Sequence, residues 1–189
     1  MLRLKTKRIV ITGGPATGKT ALIESLEALG YECYPEIIRE FTKEEVENKS
    51  GQDLQSNPIV FADDALAFNK RLLRGRQQQY ESSLSSENEL VFFDRGVGDV
   101  LAYMDFFDQE YDDHFTSTCE NIPYDTIFIL PPWKEIFGVD EGRFEDFEEA
   151  IKLYDHLKEC YTSFGHTPII VPKDTVENRI AFILSELSD

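Results

Sequence analysis

Eight consecutive residues, Gly13-Gly14-Pro15-Ala16-Thr17-Gly18-Lys19-Thr20, match the spacing G-x-x-x-x-G-K-S/T at every fixed position. The chemistry of that spacing is anion capture. Glycines let the backbone curl until successive N–H groups face phosphate oxygens, and a helix starting at the end of the loop adds its positive dipole. Lys19 then reaches the β- and γ-phosphates of a nucleotide, and the Thr20 hydroxyl ligates magnesium. Ala21, which opens the helical run to Leu29, completes the expected nucleotide contacts. The implied cofactors are Mg2+ and ATP, or GTP in its place.

A second signal is Leu90-Val91-Phe92-Phe93-Asp94, four apolar residues ending in a carboxylate. On a central strand of an open parallel sheet, Asp94 stands at the edge where ligands bind, close to metal-bound phosphates. Strands also end in aspartate for turn chemistry alone, and that alternative stays open. Glu36 follows Pro35 at the end of another apolar run, with Arg39 three residues on. The carboxylate is placed to activate an acceptor hydroxyl or order a metal-bound water, and Arg39 to clamp an anionic acceptor. A glutamate facing a helix dipole beside a solvated arginine fits the same residues. Finally, Pro131-Pro132-Trp133 precedes Gly138-Val139-Asp140-Glu141-Gly142-Arg143. Paired glycines around a charged tip suggest a hinged lid, roughly 134–146, that would swing Arg143 onto a transferring phosphoryl group. An ordinary loop before a surface helix is the competing reading.

These residues need a frame to hold them at one edge. Five short apolar runs, 8–12, 31–34, 90–94, 126–130 and 168–171, each lead into a helical spacing or into a loop before one. Near-continuous apolar character in Ile9-Val10-Ile11, Val91-Phe92-Phe93 and Ile127-Phe128-Ile129 fits strands buried on both faces of a parallel sheet. The alternation predicts an α/β fold with helices on both sides. Between the second and third runs, Phe61, Ala65, Phe68 and Leu72 form one apolar stripe of a long helix over 58–82. Beside it lie Asp64, Arg71, Arg74 and Gln78, a polar row that is either a pocket wall or a solvated face. Val176, Ile180, Ile183, Leu184 and Leu187 mark an amphipathic closing helix, and the polar stretch 42–57 reads as a mobile surface loop.

The chain has 189 residues, 41% of them hydrophobic, with no linker or repeat, so one domain over 1–189 is expected. A net charge of -17 repels nucleic-acid backbones and anionic membranes, and only Arg71, Arg74 and Arg76 cluster against it. Three widely spaced cysteines suggest neither a disulfide framework nor a zinc site. No apolar segment approaches the ~20 residues of a membrane span. A cytoplasmic protein without nucleic-acid or membrane partners is expected.

Taken in order, the phosphate loop, Glu36-x-x-Arg39, Asp94-Arg95-Gly96 with Asp99, Pro132-Trp133 and the segment 140–143 resemble the AAA-type ATPases related to the NadR ribosylnicotinamide kinase domain. The resemblance runs from Lys7 to Leu187. It implies a three-layer nucleoside-monophosphate-kinase-like fold, a five-stranded parallel sheet with a lid. By similarity Lys19, Thr20 and Asp94 would handle Mg-nucleotide, Glu36 and Arg39 would face the acceptor, and Arg143 would be the lid arginine. Arg71, Arg95, Asp99 and Trp133 complete the expected acceptor contacts, while Pro172 and Lys173, within 171–175, would lie against the base. Asp94-Arg95 is also similar to the aspartate-arginine-serine motif of deoxynucleoside kinases, but glycine at 96 points away from a deoxynucleoside substrate. Lys173-Asp174 lacks the preceding asparagine of a guanine-reading motif, which favours ATP. The expected activity is transfer of phosphate from ATP to a small nucleoside-like or hydroxylated acceptor by Lys19, Glu36, Asp94 and Arg143. A regulatory nucleotide switch that signals to a protein partner is the alternative.

Overall fold

The computed structural model of the chain describes residues 5–38, 65–137 and 146–188. Strands β1 (Lys7–Gly13), β2 (Glu32–Tyr34), β3 (Leu90–Asp94), β4 (Thr126–Leu130) and β5 (Ile169–Ile170) form one sheet in the order β2-β3-β1-β4-β5. Every pairing is parallel, with Val10 opposite Phe93 on one side and Ile127 on the other. The helices are α1 (Lys19–Ala28), α2 (Ala65–Ser83), α3 (Val97–Phe106), α4 (Asp113–Asn121), α5 (Lys134–Phe137), α6 (Phe147–Ser163) and α7 (Val176–Leu187).

Alternation along the strands sorts the core into two layers. Val10, Val91, Phe93, Ile127 and Ile129 pack with Phe68 and Leu72 of α2, Leu101 of α3, Phe115 of α4 and Leu157 of α6. Their neighbours Ile9, Ile11, Phe92, Phe128 and Leu130 face Leu22 and Leu26 of α1 and Ile180 and Ile183 of α7. Because both faces are covered, the central strands carry no polar alternation, and this made them readable as apolar runs. The helix starts are fixed by local chemistry. Asp146 Oδ1 accepts from Glu149 N at 2.8 Å while Asp146 N donates to Glu149 Oε2 at 2.9 Å. Thr175 Oγ1 accepts from Asn178 N at 3.3 Å and starts α7.

The expected three-layer α/β architecture with a five-stranded parallel sheet is therefore the observed one. The helix placed at 58–82 is described from Ala65 to Ser83. The loop at 42–57, Phe61, Asp64, Arg39, and the lid tip with Arg143 lie outside the described residues. Among the described residues no helix is long and apolar enough to cross a membrane.

Candidate functional site

In the strand order, β1 lies between β3 and β4, so the direction of chain progression reverses at its C-terminal end and leaves a crevice there. The loop 13–20 fills that position and is curled. Gly13 has φ 151° and Gly18 φ 84°, and Ala16 also takes a positive φ of 56°. A Cβ on Gly13 would stand 2.7 Å from the Leu130 carbonyl oxygen. One on Gly18 would stand 2.9 Å from Arg179 Nη1. An alanine in the left-handed region costs about 1 kcal/mol and persists only where its surroundings pin the loop. Several bonds do so here. Lys19 Nζ donates to the carbonyls of Gly13 at 2.8 Å and Gly14 at 2.7 Å. Thr17 Oγ1 donates to Gly14 O at 3.0 Å, and Arg179 Nη2 donates to Thr17 O at 3.0 Å. Burial, with the nearby charge of Arg95, lowers Lys19 to a pKa of about 7, against the pull of Asp94, Glu36 and Asp99.

At the end of β3, Arg95 takes φ 74° and turns its side chain across the crevice. Its Nε pairs with Glu36 Oε2 at 2.5 Å, and its Nη1 donates to Asp99 Oδ1 at 3.0 Å and to Gly13 O at 3.1 Å. The Tyr103 ring lies 5.3 Å below the guanidinium. Arg76 holds the other oxygen of Glu36 at 2.9 Å and the Gly96 carbonyl at 3.1 Å. Asp99 is the buried anchor of this network. It accepts from Thr12 Oγ1 at 2.6 Å, Tyr161 OH at 2.6 Å and Gly96 N at 3.0 Å. Burial works to raise its pKa, but Arg95, Arg76 and the two hydroxyls outweigh burial and hold it below the usual carboxylate range. Asp94 next door differs. Burial raises its pKa even against Lys19 and Arg95, and its Oδ1 is buried with no hydrogen-bond partner.

These groups open onto one cavity of about 720 Å³. Its wall includes the loop from Pro15 to Thr20, Ala21, Glu36, Asp94 and Arg95, together with Glu24 and Glu27 of α1 and Ile136 of α5. The cavity thus brings most of the expected nucleotide contacts and two of the expected acceptor contacts to one place. Gly13 and Gly14 are not part of its wall but hold Lys19 through their carbonyls, and Asp99 stands behind Arg95. The remaining expected residues among those described lie elsewhere. Arg71 is exposed on α2, and Arg74 pairs at 3.4 Å with exposed Glu81, the behaviour of a solvated helix face. Trp133 is half-buried beside Arg179, and Pro172 and Lys173 are exposed on the turn into α7.

Three side chains of the site escaped the pattern reading: Arg76, Tyr161 and Arg179. A signal existed for two of them. Steps of four from Phe68 through Leu72 reach Arg76, which therefore belongs to the buried stripe and not to the polar row beside it. Arg179 lies three residues after Val176 and four before Ile183, on the apolar side of α7. Tyr161 carried no such signal, since an aromatic on a buried helix face reads as core.

A curled phosphate loop closing the central strand of a parallel sheet, with an aspartate ending the adjacent strand, defines a phosphate-loop α/β protein. The chain belongs to the AAA domain family, whose model matches residues 8–179. Among solved structures it is similar to deoxyadenosine kinase from M. mycoides with bound dATP. The TM-score is 0.65 at 16% identity, over 96% of this chain and 100% of that one. It is similar to the NadR protein in complex with NR, with a TM-score of 0.69 at 21% identity, over 96% of this chain and 50% of that one. Thymidylate kinase from Candida albicans aligns with a TM-score of 0.64 at 14% identity, over 97% and 92% of the two chains. The shared fold is that of phosphate-loop nucleoside and nucleotide kinases. No curated protein matches the sequence.

Proposed function

We propose that the protein transfers a phosphoryl group from ATP to a hydroxyl of a small, nucleoside-like acceptor. One observation carries the reading: a single cavity is lined both by the phosphate loop and by Glu36 and Arg95. A site for hydrolysis alone has no need of a second, arginine-bridged wall. Lys19 and the loop amides would hold the polyphosphate, and Arg95 would meet the acceptor side. Glu36, both oxygens tied to guanidinium groups, would orient the acceptor hydroxyl and receive its hydrogen bond. Pro172 and Lys173 would border the base.

The residues also suit magnesium. Asp94 offers a buried oxygen with no other partner, and the exposed Thr20 hydroxyl lies on the same cavity wall. Hydroxyl and carboxylate oxygens are the donors a hard cation takes. Among the described residues no cluster of three His, Cys, Asp or Glu side chains could hold a metal unaided. Thr20 and Asp94 would therefore share the ion with phosphate oxygens, where it supplies neutralising charge.

The test is ADP release from ATP, measured alone and with a panel of nucleosides and related hydroxylated metabolites, then repeated with GTP. Acceptor-dependent release is expected. Indifference to every acceptor, with a protein captured in one nucleotide state only, would replace the kinase reading by a nucleotide switch.

A further inference from the structure

Arg179 projects from α7 toward the phosphate loop, and it is 3% exposed. Among the described residues it has no carboxylate partner, and its Nε is buried without any hydrogen-bond partner. A buried guanidinium with no counter-charge is costly, and leucine would serve plain packing better on a helix whose neighbouring contacts are Ile180 and Ile183. What Arg179 does touch is specific. Nη2 donates to Thr17 O at 3.0 Å, Nη1 lies 2.9 Å from where a Cβ of residue 18 would stand, and the guanidinium sits 6.0 Å from the centre of the Trp133 ring.

Thr17 O and Gly18 N belong to the same peptide unit. That unit is planar and trans, so its C=O and N–H point in opposite directions. A donor that fixes the Thr17 carbonyl toward α7 therefore fixes the Gly18 N–H away from α7. Thr17 and Gly18 both line the cavity. The geometry points to Arg179 as a positioning residue of the phosphate loop, aiming the Gly18 amide at a bound phosphate by holding the Thr17 carbonyl from behind. This inference rests on the reading of the loop as a polyphosphate site. It extends the site to a residue from the last helix, more than 150 positions away in sequence.

The test compares wild type, Arg179→Leu and Arg179→Lys by calorimetry with two probes, Mg-ATP and inorganic tripolyphosphate, both in the presence of magnesium, and follows the Gly18 amide by 15N NMR. Arg179→Leu is expected to bind both probes about tenfold more weakly, the equivalent of one lost hydrogen bond of about 1.4 kcal/mol. Its Gly18 resonance should move less on addition of tripolyphosphate, and Arg179→Lys should recover part of both effects. Wild-type affinities and an unchanged Gly18 response in a folded Arg179→Leu protein would overturn the assignment. A loss on Mg-ATP alone, with tripolyphosphate unaffected, would also overturn it by moving Arg179 to the base side of the site. Should Arg179→Leu not fold, Arg179→Lys decides: undiminished binding and Gly18 response would reject the role. If the wild-type protein binds neither probe, the phosphate-loop reading itself fails, an outcome distinct from a failure of Arg179 alone.

Discussion

Lys19 sits where titration and anion binding meet. Folding lowers its pKa from 10.5 to about 7, chiefly through burial. Between those values the unfolded chain binds more protons, so this residue makes stability rise with pH across that window and contributes a constant penalty below it. A polyanion needs the ammonium form. Affinity for Mg-ATP should therefore fall as pH climbs above about 7, by up to about tenfold per pH unit, with proton uptake visible as buffer-dependent heats in calorimetry. Lys19→Met should flatten that profile as well as weaken binding; an undiminished pH slope in the variant would show that another group is responsible. Gly18 is constrained twice, by its φ of 84° and by Arg179 Nη1, 2.9 Å from where an added Cβ would stand. Gly18→Ala should lower unfolding free energy by about 1 to 2 kcal/mol from backbone strain alone, measured by urea denaturation.

Between elements, the packing of α3 against α6 explains a departure from a related motif. A Cβ on Gly96 would lie 2.6 Å from Tyr161 OH and 3.0 Å from both Tyr124 Cε2 and Val10 Cγ2. A Cβ on Gly98 would lie 2.9 Å from the same tyrosine ring. Serine after Asp94-Arg95 is thus excluded by the helix behind it, and Tyr161 uses the space to reach Asp99. Gly96→Ser should destabilise by about 1 to 3 kcal/mol. Combined with Tyr161→Phe, which removes the nearest atom, the loss should be smaller than the sum of the two single changes. Strict additivity in a denaturation cycle would mean that the two residues do not compete for that volume. The same elements mark how far pattern reading extends. Strands β1, β3 and β4 were legible because burial on both faces demands unbroken apolar runs, and the loop because its glycines are set by φ. The site roles of Arg76 and Arg179 were not, because periodicity shows only that they share a buried face, and their partners lie far off in sequence. The resemblance implied Asp99 as an acceptor contact, whereas its place as buried anchor for Arg95, Thr12 and Tyr161 needed the tertiary structure.

For the molecule as a whole, charge is the governing quantity. The chain carries -17, and the cavity wall itself contains Glu24, Glu27, Glu36 and Asp94 against Lys19 and Arg95. A polyphosphate without a divalent cation would enter a site where carboxylates outnumber cations. Nucleotide binding should therefore collapse when EDTA removes magnesium, and its residue at low ionic strength should be weaker than at about 0.15 M salt, where the Debye length is about 8 Å. Equal affinity with and without magnesium would rule out the metal-assisted arrangement at Thr20 and Asp94. A competent site in so acidic a protein rests on local geometry and not on a general attraction for anions.

The two carbonyls that hold the Lys19 ammonium each have a second donor: Arg95 on Gly13 and the Thr17 hydroxyl on Gly14. Neither acceptor is stranded when the lysine leaves, which spares the roughly 1 to 3 kcal/mol that an orphaned buried group costs. Lys19 is thus the detachable member of that cluster, and under the proposed function it would trade two backbone oxygens for those of an incoming phosphate.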